Sequence, residues 1–104
     1  MGDADKERLK QQWKAQQRAA ALAALPLPVA ELQAMLAAIE AELESQDCSN
    51  HRDLTNRWLA ARGHDAEKVG AWLEEHGGYC DCEVVENLLG AVDDLARWQR
   101  ATRD

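Results

Sequence analysis

Apolar side chains recur at spacings of three and four along most of this chain, the signature of helices that bury one face. From Val29 to Leu43, the positions Val29, Leu32, Met35, Leu36, Ile39 and Leu43 line one side while Glu31, Gln33, Glu40 and Glu42 take the other, which predicts an amphipathic helix. A longer repeat of Val84, Val85, Leu88, Leu89, Val92, Leu95 and Trp98 predicts a helix from Asp81 to Ala101, with Asp81 and Glu83 in its favourable first turn. Between these two, Leu54, Trp58 and Leu59 predict a helix capped by Ser49 or Asn50 and stopped by Gly63. A shorter one, capped by Asp65, carries Val69, Trp72 and Leu73 and ends at His76 before Gly77 and Gly78. Glu7 to Leu25 is rich in helix formers, but Leu9, Trp13, Ala20 and Ala24 give only a thin apolar stripe, interrupted by Gln16 and Gln17. Pro26 and Pro28 end that helix and start the next, because proline cannot continue a helix but suits its first turn.

The expected fold is therefore all-α, a small bundle of about five helices with no strand and no internal repeat. Residues 1–27 are expected to form an N-terminal helix that projects or pairs with another subunit. Residues 28–104 form the helical domain proper. With no Phe and one Tyr in the chain, its interior must be filled by Trp and by Leu, Val and Ala. Trp58, Trp72 and Trp98 fall on apolar faces and read as core. Trp13, flanked by Lys10, Lys14 and Arg18, lies on a stripe too narrow to bury it and reads as a contact for a protein partner or a second subunit.

Charge sharpens this division. The net charge is −7, a balance that argues against a general nucleic-acid binder. Residues 1–25 carry five basic side chains against three acidic ones, and the remainder seven against sixteen. No apolar stretch approaches the roughly 20 residues a membrane span requires, and no secretory leader is evident, so a cytoplasmic protein is expected. A phosphate-binding glycine loop, a nucleophile elbow and a His-Glu-x-x-His motif are all absent, so no small-molecule substrate is suggested.

The candidate chemistry lies in Cys48-Ser-Asn-His51 and Cys80-Asp-Cys82. An odd number of cysteines, two of them one residue apart, is a poor disulfide framework. Zinc prefers four tetrahedral thiolate and imidazole ligands supplied as two close pairs, and these two segments provide three Cys and one His. Each pair falls near the start of an expected helix, where free N–H groups and the helix dipole favour thiolate. The expectation is one structural zinc on Cys48, His51, Cys80 and Cys82, tying two helix starts together, with His64 and His76 as competing fourth ligands. A closed Cys3His set leaves no position open for substrate, so no catalytic residue is assigned.

The stretch from Val69 to Asn87 (VGAWLEEHGGYCDCEVVEN), preceded by Cys48 and by Thr55-Asn-Arg-Trp58-Leu59, resembles a small bacterial domain-of-unknown-function family, number 2695. Leu25-Pro-Leu-Pro28 and the amphipathic helix after it resemble the family's N-terminal part. The resemblance implies that Cys80 and Cys82 form a functional pair matched to Cys48, with a histidine just after that first cysteine. It lends no activity. The reading is a non-enzymatic, zinc-stabilised interaction module. Its rivals are a cytosolic thiol or zinc redox switch, in which oxidation of Cys80 and Cys82 ejects the metal, and an enzyme with zinc at an open site.

Overall fold

The computed structural model describes the backbone of residues 2–103 and the side chains of residues 2–101, so the expected limits at residues 1 and 104 lie outside the described residues. It contains α1 (Asp3–Ala23), α2 (Val29–Leu43), α3 (Asp53–Ala61), α4 (Ala66–Glu75) and α5 (Asp81–Arg103), and no strand among the described residues. The all-α expectation holds. None of these helices is long and apolar enough to cross a membrane.

The two strongest amphipathic repeats form the centre. Leu32, Met35, Leu36 and Ile39 of α2 meet Val84, Leu88, Val92, Leu95 and Ala96 of α5, all buried. Leu59 of α3 and Val69, Trp72 and Leu73 of α4 close the core from the other side. Each fully buried Leu contributes roughly 1.5–3 kcal/mol by leaving water, so this face-to-face packing dominates the stability.

The linkers follow local chemistry. Asp65 caps α4 as expected, its Oδ1 accepting from the N–H groups of Glu67 and Lys68 at 3.0 and 3.2 Å. Gly77 ends α4 with a φ of +82°, a left-handed angle that side chains resist, and Gly78 N–H then donates to Leu73 O at 2.8 Å. Gly78 is needed for space: a Cβ there would stand 3.0 Å from Val84 Cγ2 and 3.3 Å from Leu73 O. The glycine pair thus turns the chain tightly enough to lay the start of α5 against α4.

Two helix starts differ from expectation. Helix α1 starts at Asp3, earlier than the apolar stripe suggests, because helix formers run through that segment. Helix α3 starts at Asp53, and neither Ser49 nor Asn50 caps it. Ser49 Oγ instead donates to Asp53 Oδ2 at 2.8 Å, and Asn50 takes a left-handed φ of 69° in the turn before the helix. A residue well beyond in sequence does the capping.

Candidate functional site

That residue is Asp81. Its side chain is 1% exposed. Oδ2 accepts from Leu54 N–H at 3.0 Å, and Oδ1 from Thr55 N–H at 3.0 Å and the Thr55 hydroxyl at 2.6 Å. A carboxylate from the start of α5 therefore satisfies the free N–H groups at the start of α3, with the positive end of the α3 dipole compensating its charge.

The relation is reciprocal. The free N–H groups of α5 are satisfied largely by the segment before α3: Asp81 N–H donates to His51 O at 3.0 Å, and Cys82 N–H donates to Cys48 Sγ. Cys80 acts as a sulfur cap of its own helix, accepting from Glu83 N–H. Two helix N-termini thus lie against each other and exchange caps, and the cysteines sit at this junction because their sulfurs are among the acceptors.

The junction gathers the three thiols. Cys48 is the hub, exchanging hydrogen bonds with both Cys82 and Cys80. Backbone N–H donors, Cys82 foremost and then Asn50 after opposition from burial, hold the Cys48 thiol below its ordinary value. Cys82 gives its proton towards Cys48 and, with burial adding to this, is pushed up to about 11. At Cys80 the Glu83 N–H acts to lower the thiol, but burial and the thiol of Cys48 prevail and leave it raised. Cys48 is the most acidic thiol of the set, and its two neighbours donate towards it.

His51 is not drawn into the cluster. Its ring is exposed and makes no hydrogen bond, ion pair or ring contact among the described residues, although its carbonyl is anchored by Asp81. No group of three or more His, Cys, Asp or Glu among the described residues forms a ready-made metal-binding set. The thiols are within hydrogen-bonding reach of one another. For the four expected ligands to meet, the His51 ring must turn inward about a fixed backbone.

The competing histidines are engaged elsewhere. His64 Nε2 pairs with Glu31 Oε2 at 3.0 Å, beside Arg62, which grips the same carboxylate at 2.9 and 3.1 Å. Both stack near Trp58, with Arg62 4.6 Å and His64 6.1 Å from the ring. His64, in the loop between α3 and α4, is thus held against α2. Arg62 foremost, then His64, lowers the Glu31 carboxyl to about 2. His76 Nδ1–H donates to Trp72 O at 2.9 Å, and its ring lies 4.3 Å from that of Trp72.

Besides Asp81, the sequence reading missed Arg52. It donates to Gly78 O at 3.0 Å and pairs with Glu74 at 3.1 Å, crossing Gly70, where a Cβ would meet its Nη2 at 3.0 Å. Its Nε is buried without a hydrogen-bond partner. Arg52 fixes the segment between His51 and α3 to the far end of α4. The signal for it was only a glycine inside a predicted helix, which often marks close approach by another group.

Comparison with known proteins agrees with the resemblance. Residues 35–87 match the family described as protein of unknown function DUF2695, a span that contains the three cysteines, Arg52 and Asp81. The chain is also 32% identical over 80 residues to uncharacterized protein Mb2294 of Mycobacterium bovis and to uncharacterized proteins MT2332 and Rv2271 of Mycobacterium tuberculosis, covering 77% of this chain and 81% of each relative. No solved structure matches it.

Proposed function

The chain belongs to the DUF2695 family of proteins of unknown function, and from that premise we propose that it is a small zinc-binding helical protein serving as a non-enzymatic interaction module. What supports the reading is the meeting of Cys48, Cys80 and Cys82 where the starts of α3 and α5 exchange caps. The donor chemistry suits a thiophilic metal, because three soft sulfurs meet there and backbone N–H groups already lower the Cys48 thiol. In this reading His51, carried next to the thiols on a backbone held by Asp81, turns inward as fourth ligand. The ion is structural, since three thiolates and an imidazole leave no position for substrate. Metal binding then adds to folding stability, because the assembled ligand set exists only in the folded chain.

The test is elemental analysis of the purified full chain beside Cys82→Ser and His51→Ala. About one zinc per chain is expected, with loss in the cysteine variant and weakening in the histidine variant. A well-folded chain without metal after purification and zinc addition contradicts the proposal.

The lowered thiol of Cys48 beside the raised thiol of Cys82 favours a second reading, a thiol switch. A peroxide takes two electrons from the pair, water and a Cys48–Cys82 disulfide form, and the metal is released. Zinc release that a thiol reductant reverses supports it. Thiols inert to peroxide until global unfolding exclude it.

A further inference from the structure

Helix α1 has 21 residues and buries none of them. It touches the rest of the protein near its C-terminal end, where Ala21 and Leu22 pack against the core and Arg18 lies 5.4 Å over the Trp98 ring of α5. Leu9 and Trp13 remain 65% and 61% exposed. At 3.6 residues per turn they point roughly 150° away from the packed side, so rotating α1 towards the core would not cover them. The described part of the molecule is correspondingly long, 58 × 23 × 21 Å.

The exposed stripe has an order of its own. Leu9, Trp13, Gln16 and Ala20 follow spacings of four, three and four, all exposed, which is the seam of a paired helix. Against an antiparallel copy, Leu9 meets Ala20 and Trp13 meets Gln16, so each large side chain faces a smaller one. Charge selects the same orientation. All acidic residues of α1 (Asp3, Asp5, Glu7) lie in its first turns, mixed with Lys6 and Arg8, while Lys10, Lys14 and Arg18 follow with no acid among them. Parallel pairing sets like ends together; antiparallel pairing sets the acidic end beside the basic half.

The stripe also leads into a groove. At the end of α1, Ala24 and Pro26 face Lys68, Trp72, Glu75 and His76 across an opening of about 570 Å³. An antiparallel partner helix aligned on Leu9 and Ala20 brings its first turn, with Asp5, to this mouth. Lys68 offers that turn an opposite charge.

We propose that α1 pairs antiparallel with α1 of a second copy through Leu9, Trp13, Gln16 and Ala20, and that its first turn docks in that copy's groove beside Lys68. This rests on the reading of the chain as an interaction module and names the partner as a second copy, but it is independent of zinc. By two-fold symmetry both grooves are filled.

Sedimentation velocity on the full chain over a range of concentrations is the test. A reversible dimer with a dissociation constant on the order of 10 µM is expected for an interface this small. Leu9→Gln combined with Trp13→Gln should weaken it at least about tenfold, with circular dichroism showing the helices retained. Lys68→Glu should weaken it about threefold, and adding Asp5→Lys should restore it. A monomer at every concentration, or a dimer indifferent to the Leu9 and Trp13 changes, overturns the pairing. A dimer sensitive to those two but indifferent to Lys68→Glu overturns the docking in the groove. Metal content measured on the same samples separates failure of the dimer from failure of the zinc reading.

Discussion

The junction of α3 with α5 and the helix α1 are opposite solutions to holding a segment in place. At the junction nearly every polar group has a specific partner: Asp81 accepts three hydrogen bonds, His51 O one, and the sulfurs take the N–H groups of α5. In α1 local propensity alone maintains the helix over most of its length, and no side chain is buried. The difference teaches where a substitution will be felt. A buried, fully partnered polar group is costly to alter because the partners it leaves cannot reach water. An exposed apolar residue on an unpartnered helix contributes almost nothing to the fold.

The largest expected effect follows from removing the shared cap. Asp81→Ala leaves the N–H groups of Leu54 and Thr55 and the Thr55 hydroxyl without their acceptor, and should cost about 4 kcal/mol in urea denaturation. Asp81→Asn, which keeps one acceptor oxygen but turns an amide towards a donor, should cost about half of that. A loss under about 1 kcal/mol for the alanine variant would mean that water replaces the carboxylate and that the junction is looser than described.

A smaller effect is expected at the turn that delivers the cysteines. Gly77→Ala forces a side chain into a left-handed angle and should cost about 1–2 kcal/mol by thermal denaturation. Its Cβ would also approach Asn87 Nδ2, which donates to Gly77 O, to 3.1 Å.

Glu31 supplies a pH dependence. Its folded carboxyl lies near 2 against an ordinary value of 4.5, so its pairing with Arg62 and His64 stabilises the protein above about 4.5 and is lost as pH falls towards about 2. Arg62→Gln should therefore be less stable than wild type at neutral pH, and the gap should narrow in acid, as read by urea denaturation at pH 7 and below pH 3. A gap that widens in acid contradicts the pairing. The smallest effect belongs to α1. In dilute protein, Leu9→Gln with Trp13→Gln should change stability in urea denaturation by no more than about 0.5 kcal/mol.

The helices and their buried faces were legible because burial imposes a periodicity on each segment separately. Leu32, Met35, Leu36 and Ile39, for example, declare one face of α2 without reference to anything else. The three thiols were legible through their spacing and the absence of a disulfide pattern. The exchange of caps was not, because Asp81 in a first turn has the same local appearance whether it serves its own helix or another. The pairing of His64 was hidden for a similar reason: its partner Glu31 stands on the polar side of α2, where pattern gives no contacts. His51 was chosen for its distance from Cys48 along the chain, and spacing does not say which way a ring points.

The most direct test of the account is the melting temperature of the full chain with zinc and with a metal chelator, measured beside Cys82→Ser. The account predicts that zinc raises the melting temperature of wild type by several degrees, about what 1–2 kcal/mol or more of metal-linked stability produces in a domain of this size, and that the Cys82→Ser curve does not move. Equal melting temperatures for wild type with zinc and with chelator would contradict it, and would leave Cys48, Cys80 and Cys82 as caps of the helix junction alone.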